Sequence, residues 1–277
     1  MASDVDYELE YNNRARVPEN PALIAGWAAD AAAYRKHHPP GEMRYGPGAR
    51  HRIDYFAADR DGSIVMFIHG GYWQALDGSF FSHLAAGLNA HGVNVAIPSY
   101  DLCPAVRIDQ IVDQMRTAMR ELARLRQPLV VSGHSAGGHL AACLAATDWA
   151  AMDPALPRDL VIAAYTISGL FELEPLVETS INRALHLDRA AARAASPLFW
   201  KPRFCGSLDA LVGAHESAEY FRQSRTIVER WGAAGVATRF GVIADANHFT
   251  AIAPLADPGS PMVARLLQLA GRPEKSA

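Results

Sequence analysis

The fold is decided by residues 129–140, which read Leu-Val-Val-Ser-Gly-His-Ser-Ala-Gly-Gly-His-Leu. Residues 129–132 are a short apolar run typical of a buried strand, and the segment that follows them has the composition of a helix. The turn between them matches the pattern Gly-x-Ser-x-Gly. Its two glycines permit the sharp strand-to-helix turn that lifts a serine Oγ above a sheet. Ser135 is therefore predicted to be a catalytic nucleophile rather than part of a turn that only packs a helix on a strand.

The same strand-then-helix alternation continues on both sides of this stretch. Short apolar strands separated by helices indicate a mostly parallel sheet with helices on both faces. Ligands of such sheets bind beyond the carboxyl ends of the strands. The predicted strands are 63–68, 93–97, 129–132, 161–167, 210–212 and 238–243, and the predicted helices are 21–34, 80–90, 108–126, 136–147, 218–231 and 261–270.

One α/β domain over 1–277 accounts for this pattern. Residues 1–40 are predicted as an N-terminal helical extension that ends in a His-His-Pro-Pro-Gly breaker cluster. Residues 171–203 depart from the alternation and are rich in Leu, Ala and Arg. We expect this second segment to form a small helical cap over the carboxyl edge of the sheet.

Composition limits the classes of function. Half of the 277 residues are hydrophobic and 20% are charged, which suits one sizeable core, and the net charge of −3 does not favour nucleic acid as a partner. The chain has no apolar stretch long enough to cross a membrane and starts without a secretory pattern, so we expect a cytoplasmic protein that acts on a small-molecule substrate. Cys103, Cys143 and Cys205 have neither disulfide-framework nor zinc-site spacing. A homo-oligomer is left open.

A second glycine motif, His-Gly-Gly-Tyr-Trp at 69–73, follows the predicted strand that ends at residue 68. Acyl transfer needs backbone N–H donors aimed at the oxygen of the tetrahedral intermediate. Gly70 and Gly71 allow a close approach because they lack Cβ, and Ala136 would supply a third N–H. We predict that these three residues form the oxyanion hole and that His69 fixes the loop through a hydrogen bond.

The general base is predicted to be His248. It follows the last predicted strand, on the site edge of the sheet, and it completes the chain order serine, acid, histidine. His139 lies one helical turn after Ser135 and is the alternative, although a histidine within a helix usually packs. His134 is next to the serine, but adjacent side chains diverge on a tight turn.

The acid is predicted to be Glu216, which follows the strand 210–212 at its carboxyl end. Asp245 is close to His248 in sequence, and a carboxylate there more often caps a turn. Asp209 is placed at the opposite end of the strand, ~20 Å away at ~3.3 Å per residue. Both aspartates stay open as alternatives, and glutamate is an accepted third member of a serine triad.

With these residues in place, the chain resembles the α/β-hydrolase fold over nearly its whole length. Within that fold it resembles the kynurenine formamidases (arylformamidases). The matching motifs are His-Gly-Gly-Tyr-Trp-Gln at 69–74, Pro-Ser-Tyr at 98–100, Cys-Pro at 103–104, Gly-His-Ser-Ala-Gly-Gly-His-Leu at 133–140 and His-Phe at 248–249. The Tyr-Trp extension is more specific than His-Gly-Gly alone.

The resemblance implies hydrolysis of an N-formyl or N-acyl aromatic amine, or of a small aryl or alkyl ester. From the residues we expect a metal-independent serine mechanism that uses no cofactor. We expect Tyr72, Trp73 and Phe249 to line a pocket that tolerates an aromatic ring. Two other functions are weighed. A short-chain carboxylesterase would use the same triad, whereas a catalytically silent binding module would typically lack the serine or the histidine.

Overall fold

The structure is a computed structural model that describes residues 5–58, 62–203 and 206–271. Residues 1–4 of the predicted extension and Cys205 lie outside the described residues. Within the described ranges, eight strands form one sheet in the order β1-β2-β4-β3-β5-β6-β7-β8. The strands are β1 Gly41–Arg44, β2 Arg52–Phe56, β3 Ile64–Ile68, β4 Asn94–Pro98, β5 Leu129–His134, β6 Val161–Ile167, β7 Ser207–Gly213 and β8 Ala237–Ile243.

The sheet is antiparallel at one edge and parallel elsewhere. β1 pairs antiparallel with β2 and β2 with β4, and all the remaining pairs are parallel. This confirms the predicted mostly parallel sheet. The sequence did not predict β1 and β2. β1 (Gly-Glu-Met-Arg) carries one apolar residue and lies largely exposed at the sheet edge, so it has no hydrophobic pattern to detect.

Helices cover both faces of the sheet. They are α1 Tyr7–Tyr11, α2 Asn13–Arg16, α3 Asn20–His37, α4 Ala85–Asn89, α5 Ile108–Ala123, α6 Ala136–Ala145, α7 Trp149–Met152, α8 Asn182–Leu185, α9 Arg189–Ala194, α10 Ala218–Ala233 and α11 Pro261–Leu269. Part of the helix predicted over 80–90 is a 3-10 helix, Gly78–Leu84, that leads into α4. No helix in the described ranges is both long and apolar enough to cross a membrane.

Alternate side chains of each buried strand feed two hydrophobic layers. On β3, Ile64, Met66 and Ile68 join the cluster that contains α5, α6 and α10. Val65 and Phe67 join the cluster that contains α3, α4 and α11. Because side chains alternate across a strand, a continuously apolar strand fills both layers. Full burial of each such side chain contributes about 1.5–3 kcal/mol to stability.

The N-terminal extension is an integral part of the fold. Tyr11 is fully buried, and its hydroxyl donates to Glu219 Oε2 of α10 at 2.7 Å. Trp27 of α3 packs in the core layer that α3 shares with α11, 5.3 Å from the ring of Phe81. Residues 5–37 therefore cover the sheet rather than extend away from it.

The segment 171–203 is mostly helical, as predicted. It contains α8, α9 and the 3-10 helices Glu174–Glu178 and Pro197–Phe199. The extension contacts it, since Ser180 N–H and Oγ donate to the two carboxylate oxygens of Glu8 at 2.7 and 2.8 Å. Both segments lie over the carboxyl edge of the sheet, where Tyr11 and Ile181 line the same cavity as Ser135.

Candidate active site

Ser135 lies in the turn between β5 and α6. Its backbone has φ 56° and ψ −120°, a conformation that costs on the order of 1–3 kcal/mol for a residue with a side chain. Its N–H donates to the carbonyl of Ile167 at 2.9 Å, which fixes the turn to β6. A Cβ at Gly137 would lie 1.9 Å from the carbonyl oxygen of Ile68, so a glycine is required there. Packing thus stabilises the strained turn, and Ser135 lines a cavity at this edge of the sheet.

His248 and Glu216 form a buried pair beside Ser135. His248 Nδ1–H donates to Glu216 Oε2 at 2.7 Å, and the glutamate side chain is 0% exposed. Glu216 Oε1 also accepts the N–H of Gly213 at 2.7 Å and the hydroxyl of Ser168. The Glu216 carboxylate thus accepts three hydrogen bonds out of the about four that its lone pairs allow. With Nδ1 bound, Nε2 is the ring nitrogen left to accept a proton, and His248 lines the same cavity as Ser135.

The two alternative acids lie elsewhere. Asp209 accepts two hydrogen bonds from the guanidinium of Arg265, at 2.8 and 3.0 Å, near the start of β7. Asp245 is exposed and sits in a turn with φ 54°. Of the three carboxylates considered, Glu216 is the one that is hydrogen-bonded to His248.

The two neighbouring histidines support the site without being placed to act as its base. His134 Nε2–H donates to the carbonyl of His248 at 2.9 Å, and burial holds the pKa of His134 well below its usual range. His139 Nε2–H donates to the carbonyl of Ala195 at 2.7 Å, and burial lowers its pKa to about 4. His134 therefore fixes the loop that carries His248, and His139 fixes the cap segment to α6. Neither contact could be predicted from a local pattern, because both join residues more than 50 positions apart.

His69 holds the first glycine loop. Its ring stacks between Phe81 and Tyr100, at centroid distances of 5.8 and 4.3 Å, and its Nδ1–H donates to the carbonyl of Gly70 at 2.7 Å. The hydroxyl of Tyr100 donates to the His69 carbonyl at 2.8 Å. Burial lowers the pKa of His69 to about 4, so the ring is neutral near pH 7. This is the loop-fixing role that the sequence predicted for it.

The predicted oxyanion donors lie around Ser135. A Cβ at Gly70 would lie 3.0 Å from Ser135 Cβ, so this loop approaches the nucleophile as closely as backbone allows. Gly71 has φ +109°, in the region that favours glycine, and lines the cavity with Gly70. Ala136 is the first residue of α6, and its N–H has no acceptor within the helix. These groups can stabilise a developing oxyanion.

Tyr72 and Phe249 line the cavity, whereas Trp73 does not. Trp73 is fully buried, its ring meets that of His139 edge-on at 5.0 Å, and its carbonyl accepts the N–H of Cys103 at 2.8 Å. The backbone at Trp73 has φ 56°, and the side chain packs in the core layer of α6. The expectation that Trp73 contacts substrate is corrected on this ground, and Trp27 supplies the tryptophan of the cavity wall instead.

The cavity has a volume of about 360 Å³, near the lower end of the range for small-molecule sites. One wall is aromatic and apolar, and comprises Ile24, Trp27, Leu76, Phe81 and Phe249. The N-terminal extension supplies a second, polar wall at Tyr11, Asn12, Asn13 and Arg14. Sequence reasoning missed this second wall. In the described ranges, no group of three or more His, Cys, Asp or Glu side chains is arranged to hold a metal ion.

Comparisons with known proteins agree with this geometry. A family model for the alpha/beta hydrolase fold matches residues 65–252. The chain is 28% identical to the kynurenine formamidase of Danio rerio over 83% of this chain and 82% of that protein. It is 27% identical to the kynurenine formamidase of Drosophila melanogaster over 76% of this chain and 74% of that protein.

Solved structures also match the fold of this chain. A protein from Silicibacter sp. tm1040, provisionally described as a thioesterase, is 34% identical, with a TM-score of 0.85 over 94% of this chain and 98% of that one. An esterase from Pyrobaculum calidifontis, 17% identical with a TM-score of 0.67, covers 91% of this chain and 92% of its own, and it shares the fold. The predicted fold and the resemblance to kynurenine formamidases are thus confirmed, and the chain belongs to the α/β-hydrolase fold family.

Proposed function

We propose that this hydrolase removes an N-formyl or N-acyl group from an aromatic amine through a Ser135–His248–Glu216 triad. The observation that carries the proposal is the 2.7 Å hydrogen bond from His248 to a fully buried Glu216, beside Ser135 on the same cavity. A carboxylate in this position holds the imidazole in the tautomer that accepts a proton at Nε2 and stabilises the imidazolium that forms.

The reaction follows from these positions. Ser135 Oγ attacks the acyl carbon while its proton passes to His248 Nε2. The carbonyl oxygen takes up the π electron pair of the C=O bond and accepts hydrogen bonds from the N–H groups of Gly70, Gly71 and Ala136. The C–N bond then breaks as His248 returns the proton to the amine nitrogen, and water hydrolyses the acyl-enzyme by the same steps. No step needs a metal or another cofactor.

Two observations support an aromatic amine as the leaving group. Trp27 and Phe249 form a ring wall, with centroids 5.9 Å apart, that a flat substituent can pack against. The second observation is that the chain is 27–28% identical to kynurenine formamidases. The alternative, a short-chain carboxylesterase, is supported by the relative provisionally described as a thioesterase, since thioesters and esters react through the same triad.

Kinetics on matched substrates test the proposal. Formanilide, N-formylcyclohexylamine and phenyl acetate compare an aromatic amide, its saturated counterpart and a small ester. We expect a kcat/KM for formanilide well above that for the cyclohexyl amide. Trp27→Leu should lower it roughly tenfold while the cyclohexyl amide changes less than twofold, because losing an aromatic wall costs ~1–1.5 kcal/mol of ring stacking that the saturated ring does not have. Fast ester cleavage with no formanilide turnover would leave the carboxylesterase function instead.

A further inference from the structure

Arg14 has an unusual position at the cavity. Among the described residues that line the cavity it is the one Arg, Lys, Asp or Glu, and it lies on α2 with its side chain exposed. The titratable lining residues besides it are the histidines and tyrosines already described. The cavity wall therefore carries a formal positive charge and no carboxylate to neutralise it.

The other polar groups of this wall are already hydrogen-bonded within the protein. Asn12 Nδ2 donates to Glu8 Oε1 at 3.1 Å, and Ser180 Oγ donates to the same oxygen at 2.8 Å. Asn13 Nδ2 donates to the hydroxyl of Tyr220 at 2.7 Å. These groups are thus already engaged with neighbouring side chains.

The Arg14 guanidinium is different. In residues 5–58, 62–203 and 206–271, no carboxylate lies within ion-pairing distance of it, whereas Arg222 is paired with Glu172 and Glu219. The acids next to it in the chain are engaged: Glu8 with Ser180, and Glu10 with the N–H of Glu219 at 3.0 Å. The five N–H donors of this planar fork thus have no partner among the described residues, and they belong to a residue that lines the cavity.

We propose that Arg14 is an anion subsite that selects substrates with a carboxylate on the group bonded to the scissile acyl function. The inference rests on the proposed acyl hydrolase function and narrows its substrate class to anionic acyl derivatives. A guanidinium pairs with a carboxylate through two parallel N–H···O bonds, which fixes orientation as well as charge. Binding at this site is remote from the bond that breaks, so Arg14 acts mainly on KM.

The experiment compares 4-acetoxybenzoate with 4-acetoxybenzamide, which share the acetyl ester and differ by one negative charge. Arg14→Gln should lower kcat/KM for the benzoate roughly tenfold, through KM, and leave the benzamide within twofold. Arg14→Lys should restore part of the loss, because it keeps the charge but not the planar fork. The matched control is Arg16→Gln on the same helix, an exposed arginine outside the cavity lining, which should change neither substrate.

Equal losses on both substrates, or the same loss in Arg16→Gln, would overturn the subsite. Both substrates are aryl acetates, so the readout does not depend on amide cleavage. Calorimetric titration with 4-acetamidobenzoate and 4-acetamidobenzamide covers the case of no turnover. An Arg14-dependent preference for the benzoate ligand would then support the subsite while the proposed function fails, and no such preference would overturn the subsite as well.

Discussion

The two ends of strand β7 each present a buried carboxylate, and the two carboxylates differ in their partners. Asp209, near the start of the strand, is 1% exposed and receives two hydrogen bonds from Arg265. Glu216, three residues beyond its end, is 0% exposed and receives one from His248. Each pair must offset a similar cost of desolvation. Burial alone therefore does not mark a catalytic acid.

The partner decides what each carboxylate can do. A guanidinium stays charged at all accessible pH, so Asp209 and Arg265 form a fixed ion pair that joins β7 to α11. An imidazole changes its charge near neutrality, so Glu216 can stabilise a proton that arrives during the reaction. The two partners also differ in their access to the cavity, since His248 lines it and Arg265 does not. The comparison predicts a catalytic role at one end of β7 and a structural role at the other.

The largest effect is expected from Glu216→Gln. The amide cannot stabilise the imidazolium and favours the wrong tautomer of His248, so kcat should fall by about 10⁴. Steady-state kinetics with phenyl acetate measure this, and circular dichroism checks that the variant is folded. A loss of less than tenfold in folded protein would remove Glu216 from the triad.

Asp209→Asn should give the opposite pattern. kcat should stay within twofold, while the free energy of unfolding falls by roughly 1–3 kcal/mol, because Arg265 loses its partner but is partly exposed and can be rehydrated. Urea unfolding and kinetics on the same preparation separate the two effects. A large drop in kcat at unchanged stability would show that Asp209 has a catalytic role and not a structural one.

A smaller effect concerns His139, whose pKa burial lowers to about 4 from 6.5. Between these values the unfolded chain binds a proton that the folded chain does not, so stability is lost as pH falls from about 6.5 to 4. Above pH 6.5 the contribution of His139 to the free energy of unfolding is constant. His139→Gln, which can still donate to Ala195, should remove about 2 kcal/mol of the difference in the free energy of unfolding between pH 5 and 8. Urea unfolding at pH 5 and 8 measures it, and an unchanged slope would contradict the assignment.

Local signals explain what the sequence could predict. The glycines around Ser135 and the ends of the apolar strands are short-range patterns. They are enough to bring Glu216 and His248 to one edge of a parallel sheet. Their catalytic roles stay predictions. The polar wall of the cavity could not be predicted in this way. Asn13 contacts Tyr72 across 59 positions and Tyr11 contacts Glu219 across 208, and no periodicity encodes such contacts.

Trp73 shows the same limit within a motif. Its position directly after the oxyanion glycines suggested a substrate contact, but the backbone has positive φ at Gly71, Tyr72 and Trp73 in succession, and the Trp73 side chain is buried in the core. Side-chain directions along such a run of backbone dihedrals cannot be derived from neighbouring residue types. The tryptophan that does line the cavity, Trp27, comes instead from the segment predicted as an extension.

The central claim is that Ser135 is activated through His248 by Glu216 and not by Asp209. Its most direct test is the rate of covalent labelling by a fluorophosphonate, followed by intact mass and peptide mapping. We predict one adduct on Ser135, no adduct in Ser135→Ala, labelling at least a hundredfold slower in Glu216→Gln, and an unchanged rate in Asp209→Asn. An adduct on another residue, or equal labelling rates in the Glu216 and Asp209 variants, would contradict the account.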